Sequence, residues 1–338
     1  MTAILRCLLW PASFLYRIII AIWDIYWQRA KKIKLPGRVI SVGNITAGGT
    51  GKTPLTIYVA NLTAEAGLRT AIVAGGYKRR SRGIIEVAAN SRWEDVGDEP
   101  LEIKRRTTNI RVYVADSKTE AARRAFEDGA EMIVIDDGFQ HRRLQRDLDI
   151  VCLDWHSPFG PGGLLPGGRL REPLSALRRA DMIIYTSFDQ TDKGQLDIDK
   201  LPASLKIFYS TNSISTFFNT KSGQETPTSA FHSGTVLAFC GLAAPGKFMK
   251  SLRRLDIVPK KFIPFGDHHC YSEKDIRLLK TQAGELGADC LLTTMKDAVK
   301  IEHFDFGGLD IYWAQLEVKI LDAGGSDCLP EFKKALNL

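Results

Sequence analysis

The chain has no paired-cysteine motif. Its six cysteines (Cys7, Cys152, Cys240, Cys270, Cys290 and Cys328) are scattered without C-x-x-C spacing. That argues against a zinc site or a disulfide framework and suits a reducing compartment. There is no low-complexity tract and no internal repeat, which sets aside solenoids and disordered arrays. Net charge is +7, yet no helix-turn-helix, zinc finger or stacking platform accompanies it, so nucleic acid is not an expected partner. Nor is there an unbroken apolar run of the roughly 20 residues that a spanning helix needs. Ile4 to Trp27 is apolar, but Arg6, Pro11, Arg17 and Asp24 interrupt it. It lacks a small-residue cleavage site, so a signal peptide is not expected.

What that first segment does have is aromatic residues, with the basic run Arg29-Ala30-Lys31-Lys32-Ile33-Lys34 behind it. Aromatic anchors beside lysines describe a helix lying in a membrane interface and drawn to anionic lipid. The alternative, an apolar helix packed on its own core, lacks a reason for that basic flank. The basic balance as a whole, with a pI near 9.0, favours an anionic partner. At 338 residues the chain exceeds one average domain.

Thr46-Ala47-Gly48-Gly49-Thr50-Gly51-Lys52-Thr53 reads as a phosphate-binding loop. Close glycines let backbone N–H groups curl around a polyphosphate, Lys52 can reach the outer phosphates, and the Thr53 hydroxyl can sit on Mg²⁺. Val39–Val42 before it is a short β-branched strand. Pro54, Leu55, Ile57, Tyr58, Val59 and Leu62 after it read as a helix whose N-terminus favours anions. Thr46 stands where the usual motif has glycine. Met132-Ile133-Val134-Ile135-Asp136-Asp137 has the form of an apolar strand ending in Mg²⁺-binding carboxylates. Gln140 and His141, just beyond it, are candidate substrate or supporting contacts.

Strand-like runs alternate with helical patterns through Tyr185, which predicts an α/β fold with a doubly wound, mostly parallel sheet over 35–190. Residues 191–233 turn polar and read as an interdomain connection. A smaller α/β unit follows over 234–338, and 1–34 forms the interfacial helix with its basic flank. Gly97-Asp98-Glu99-Pro100 offers an acidic turn, and Asp98 could accept a hydroxyl proton in phosphoryl transfer. Gly266-Asp267-His268-His269 ends a strand of the second unit, where His268 could orient a carboxylate across a cleft. Lys78, Arg79 and Arg80, with Arg169 and Arg171, supply forks and charges for a phosphorylated substrate.

In this order these residues resemble the tetraacyldisaccharide 4′-kinase family, the lipid A 4′-kinases. The Ser41–Pro54 run carries the resemblance. The Gly75–Gly83 loop, Gly97–Pro100, Asp136–His141, Pro166–Pro173 and Asp267–His269 support it, and Thr46 matches the family's own departure from the motif. The resemblance implies a P-loop fold, ATP and Mg²⁺, and transfer of the γ-phosphoryl group to the 4′-hydroxyl of a tetraacylated glucosamine disaccharide 1-phosphate. It implies a monotopic helix at the cytoplasmic face of the inner membrane. Carried over residue by residue, Lys52 and Thr53 serve nucleotide and metal, Asp98 is the base with His268 its partner, and Asp136, Asp137 and Glu172 form the acidic cluster around Mg²⁺. Met295 stands where a charged residue would be expected. No obligate protein partner is evident. The weighed alternative is a membrane-tethered NTPase switch without transfer to lipid. Such proteins carry a lysine before the glycine pair, where this chain has Ala47.

Overall fold

The computed structural model describes residues 3–191 and 205–338, with residues 3–8 as backbone only. Among the described residues, thirteen strands form one mixed sheet. In its first half, β1 (Arg38–Gly43) lies between β5 (Met132–Asp136) and β6 (Leu148–Asp154). Outward from β5 run β2 (Thr70–Ala74), β4 (Arg111–Val114) and the short β3 (Ile85–Glu86); outward from β6 run β7 (Met182–Thr186) and β8 (Lys206–Asn219). All these pairings are parallel except β3 with β4. The second half is β13 (Asp310–Leu321), β12 (Cys290–Thr294), β10 (Val236–Cys240) and β11 (Lys261–Pro264), again parallel. An antiparallel seam between β8 and β13 joins the halves, with a bulge at Gln315/Leu316. β9 (Glu225–Thr226) pairs only with β8.

Strand alternation explains the layers. Ile40, Val42, Ile72, Val112 and Val134 share one core with Leu55, Val59 and Leu62 of α2 (Lys52–Glu65). Val39, Val73, Tyr113, Ile133 and Ile135 point to the other face, onto Ala121, Ala122 and Ala125 of α5 (Lys118–Glu127). Both faces of the sheet are therefore covered, as a parallel sheet requires. The second half repeats the plan: Val236 and Ala238 meet Phe248 and Leu252 of α6 (Pro245–Arg253). Leu237 and Phe239 meet Ile276 and Leu279 of α7 (Glu273–Leu286).

Three elements depart from the sequence reading. α2 has no single apolar stripe, because it is pressed from two sides. It contacts β13 as well as the sheet strands, and Tyr58 stacks obliquely on Phe332 of α9 (Leu329–Ala335) at 6.3 Å. The tail after Trp313, which carries no motif, is thus the brace behind the phosphate-loop helix. The 206–219 segment, within the polar stretch read as an interdomain connection, is one 14-residue strand of the sheet. Its polar residues, Ser210 to Ser213 among them, hid the continuity. Residues 192–204 of the connection lie outside the described residues. Finally, Asp98 opens a helix, α4 (Asp98–Arg105), rather than sitting on a free turn; α3 (Trp93–Val96) precedes it.

The first helix, α1 (Ala3–Arg29), runs through Pro11. By length and composition alone, Leu9–Arg29 is long and apolar enough to cross a membrane, despite its charges. It does not stand free. Leu9, Ser13, Tyr16, Ile20, Asp24 and Trp27 are half-buried at a helical repeat, so one face is against the body. Tyr16 donates to the Arg171 carbonyl at 2.8 Å, the Ser13 hydroxyl accepts from Gly167 N–H, and Asp24 pairs with Arg142. Trp10, Phe14, Leu15, Ile22, Trp23 and Tyr26 project away, each at least half exposed.

Candidate active site

The phosphate loop leaves β1 at Gly43 and enters α2 at Lys52. Gly51, at φ 75°, makes the left-handed turn into the helix, and no side chain caps the helix N-terminus. Only glycine takes that conformation without cost, and the uncapped N–H groups are left for an anion. The loop is held from behind. Asn44 Nδ2 donates to Thr46 O at 2.6 Å and Thr50 Oγ1 at 2.9 Å, and Thr186 Oγ1 donates to Thr50 O at 2.8 Å. Beside it, Ala47 N–H donates to Arg169 O and Arg171 N–H to Ile45 O, both at 2.7 Å, so the 164–171 loop adds a backbone rail.

The end of β5 faces this loop. Asp136 is buried; Thr56 donates to its Oδ1 at 2.8 Å, and Thr53 Oγ1 lies 3.5 Å from its Oδ2. Burial first, then the nearby Glu99 charge, raises its carboxyl to about 6. Asp137 has φ 49°, a left-handed conformation rare outside glycine that recurs at functional sites. Arg171 Nη1 grips both its oxygens, at 2.8 and 3.0 Å, and Lys52 Nζ lies 3.8 Å away. Burial acts to raise the Asp137 carboxyl, but Lys52, Arg171 and Lys118 outweigh it and hold it at about 2. Lys118 was not anticipated. As the first residue of α5 it reaches both the Asp136 and Asp137 carbonyls at 2.6 Å.

The second half of the protein supplies the opposite wall. Gly97, at φ 95°, comes within 3.2 Å of the Gly76 backbone as judged from where a Cβ would sit. This close approach sets the α4 N-terminus against the loop after β2. Asp98 then meets His268: Nδ1 lies 2.9 and 3.1 Å from the two carboxylate oxygens. His268 itself has φ 52° and stands edge-on to Tyr77, ring centroids 4.9 Å apart. Burial of Asp98 raises its carboxyl, yet the hydrogen bond from His268 and the charges of Lys296 and Lys300 outweigh that and hold it at about 2. Lys296, from the start of α8 (Met295–Ile301), is 3.0 Å from His268 Nε2 and 3.2 Å from Glu99 Oε1. Between the walls lies a cleft of about 1200 Å³, lined by Thr46 to Pro54, Asp136, Asp137, Arg171, His268 and Lys296 among others.

Not every candidate reaches this cleft. Of the cationic loop, Arg79 lines it, tied to Asp116 at 2.9 Å, whereas Lys78 and Arg80 are exposed and do not. Arg169 braces the loop through Ala47 O rather than facing the cavity. Gln140 spans Asn44 O and Glu172 Oε1 at 2.8 and 3.0 Å, and His141 is bonded to Thr119 at 2.7 Å. Both support the site from behind. Glu172, expected near Mg²⁺, is held between two arginines: its oxygens accept from Arg142 at 2.5 Å and Arg179 at 2.8 Å. Met295 is buried in the core and leaves the charged role at this strand end to Lys296.

A phosphate loop at a helix N-terminus, a carboxylate-ended neighbouring strand and a facing carboxylate–imidazole pair define a P-loop phosphotransferase. The chain belongs to the tetraacyldisaccharide-1-P 4′-kinase (LpxK) family, whose model matches residues 5–330. It is 33% identical over 328 residues to a tetraacyldisaccharide 4′-kinase of Syntrophus aciditrophicus, covering 91% of this chain and 87% of that one. It is 32% identical to that of Bdellovibrio bacteriovorus, covering 93% and 95%. It also superposes on the LpxK of Aquifex aeolicus in complex with ATP with a TM-score of 0.80, at 31% identity and 98% coverage of both chains.

Proposed function

We propose that the chain transfers the γ-phosphoryl group of ATP to the 4′-hydroxyl of a tetraacylated glucosamine disaccharide 1-phosphate, the lipid A 4′-kinase reaction. One observation carries the reading: Lys52 and Thr53 of the phosphate loop share a cleft with an Asp98–His268 pair built from both halves of the sheet. An NTPase switch needs the former and has no use for the latter.

The α2 N-terminus and Lys52 hold the phosphates, and Lys52 draws charge from the transferring group. Thr53, Asp136 and Asp137 offer hard oxygen donors beside the loop, a set that fits Mg²⁺ shared with phosphate oxygens. Asp136, next to Thr53, suits direct contact, while Asp137 is engaged by Arg171 and orients Lys52. Mg²⁺ bound there would neutralise charge on the phosphates. Asp98 accepts the proton of the sugar hydroxyl as the P–O bond forms, held in place by His268. Arg79 and Arg171 are placed to meet the anionic substrate.

The exposed apolar faces of α1 support a helix seated in the interface of an anionic membrane, at the cytoplasmic face of the inner membrane. Its inner face is docked along Ser13 to Asp24, which favours a monotopic placement over a span. The test is product analysis with ATP, Mg²⁺ and the disaccharide 1-phosphate in mixed micelles. Phosphate should appear on the lipid, and folded Lys52→Ala should lose on the order of a hundredfold in rate. Free phosphate alone, or a near wild-type Lys52→Ala, would sink the kinase reading.

A further inference from the structure

Lys296 occupies a place that neither the phosphate loop nor the Asp98–His268 pair accounts for. It starts α8 in the second half of the sheet, yet its ammonium touches groups from both halves. Glu99 Oε1 of α4 lies at 3.2 Å, His268 Nε2 at 3.0 Å and Asp267 Oδ1 at 3.6 Å. It is largely buried in the cleft wall. Burial works against its charge, and Glu99, Asp98 and Asp267 more than restore it.

The two neighbours of His268 set its protons. Asp98 is a carboxylate that can only accept, so Nδ1 must carry a hydrogen. Lys296 is an ammonium that can only donate, so Nε2 must present its lone pair. Both demands are met by one form, the neutral imidazole with its proton on Nδ1. Without Lys296 the second demand is gone. Nε2 lies 3.7 Å from Glu99 Oε1 and Nδ1 faces Asp98, so both nitrogens would then face acceptors and nothing would donate to Nε2.

We infer that Lys296 is a positioning residue that holds His268 as the neutral Nδ1–H tautomer, so that the ring donates one directed hydrogen bond to Asp98 and brings no charge of its own. This rests on the reading of Asp98 as the base. An imidazolium would bind Asp98 as an ion pair and weaken it as a proton acceptor. Lys296 keeps its own positive charge one ring away from Asp98, whose directly adjacent ammonium is Lys300 at 3.5 Å, and ties that ring to Glu99, next to Asp98 in α4.

The experiment reads the ring directly. Imidazole ¹⁵N shifts of His268 distinguish a protonated nitrogen from one with a free lone pair, with no turnover required. In the wild-type protein Nε2 should show the signature of a free lone pair. Lys296→Met should move Nε2 to the protonated signature. Lys296→Gln, whose amide still donates, should retain the wild-type tautomer at a lower charge. Steady-state rates follow: Lys296→Met should lose about tenfold in kcat with KM for ATP little changed, a part of what a positioned base contributes. Lys296→Arg should recover most of it. Thermal melting with and without ATP establishes that each variant is folded. Identical His268 shifts in wild type and folded Lys296→Met would overturn the inference even if activity fell. The same shifts changing while Asp98→Ala stays active would uphold the tautomer device and remove the base instead.

Discussion

Asp98 and His268 stand 170 positions apart and share a hydrogen bond, so their contributions to rate should not be independent. Asp98→Ala should cut kcat sharply, on the order of a hundredfold, with ATP binding little changed, since a base acts mainly in the transition state. His268→Ala should cost less, and the double variant less than the sum. Additive penalties would separate the two residues and end the dyad. His141 gives a contrasting case. Burial, then the charges of Lys118, Arg146 and Arg143, hold its imidazole down at about 4. In the unfolded chain it protonates near its ordinary 6.5. Between those values the unfolded state binds more protons, so the fold loses stability as pH falls from 6.5 toward 4. His141→Asn, which can still meet Thr119, should flatten the fall in urea midpoint between about pH 6.5 and about pH 4.5. A slope equal to wild type would mean that the ring is already solvated in the fold.

At the scale of elements, α1 is tied to the site it serves by a chain of charges. Asp24 meets Arg142, Arg142 and Arg179 meet Glu172, and Gln140 links Glu172 to the Asn44 carbonyl behind the phosphate loop. Removing Asp24 leaves the buried Arg142 with Glu172 alone. Asp24→Asn should therefore retain binding to anionic vesicles while lowering kcat severalfold; deleting the helix should release the protein from vesicles altogether. A wild-type kcat for Asp24→Asn would confine α1 to anchoring. How far such elements could be read beforehand depended on how local their signals are. α7 carries both its boundaries in the sequence, because Ser272 and Asp275 form a capping box and Gly287 ends it in a left-handed turn. The phosphate loop and Asp136–Asp137 were legible because each is a contiguous pattern on a strand end. α4 was not: eight residues holding Pro100 and five charges give no apolar period. Lys118 and Lys296 were not, because each is the first or second residue of a short helix and only the fold brings it to the cleft. The arginine partners of Glu172 were not legible, because an acidic residue in an arginine-rich loop has the same sequence signature whether it meets a metal or its own arginines.

For the whole molecule, the question is what holds the two half-sheets at the distance that closes the site. The β8–β13 seam links them on the sheet, but the buried Asp98 meets His268 at the cleft wall through side chains alone. One crossing lies at the far end of the same two helices that carry Asp98 and Lys296. Arg105, the last residue of α4, forms a two-pronged pair with Glu302 just after α8, at 2.6 and 2.8 Å, and the neighbouring Arg106 donates to Leu316 O on β13 at 2.8 Å. On the other side of the cleft Lys247 of α6 meets Asp154 and Ser187, and Arg254 meets Asp189 at 2.7 Å. The halves are thus pinned by ion pairs at both margins, with the dyad between them. A partly exposed pair contributes no more than about 1 kcal/mol, but the parallel prongs fix direction as well as distance. Glu302→Arg should set two arginines against each other and favour the separated halves. With about 1 kcal/mol at stake, kcat/KM should fall roughly fivefold, and added salt should lessen the penalty by screening the repulsion. Arg105→Glu combined with Glu302→Arg restores the pair with its charges exchanged and should recover most of the rate. Recovery in the double variant alone, under low salt, would identify the clasp as a determinant of closure. Equal defects in the single and double variants would assign the loss to local packing and leave closure to the seam, the packing of α2 on β13 and α9, and the opposite margin.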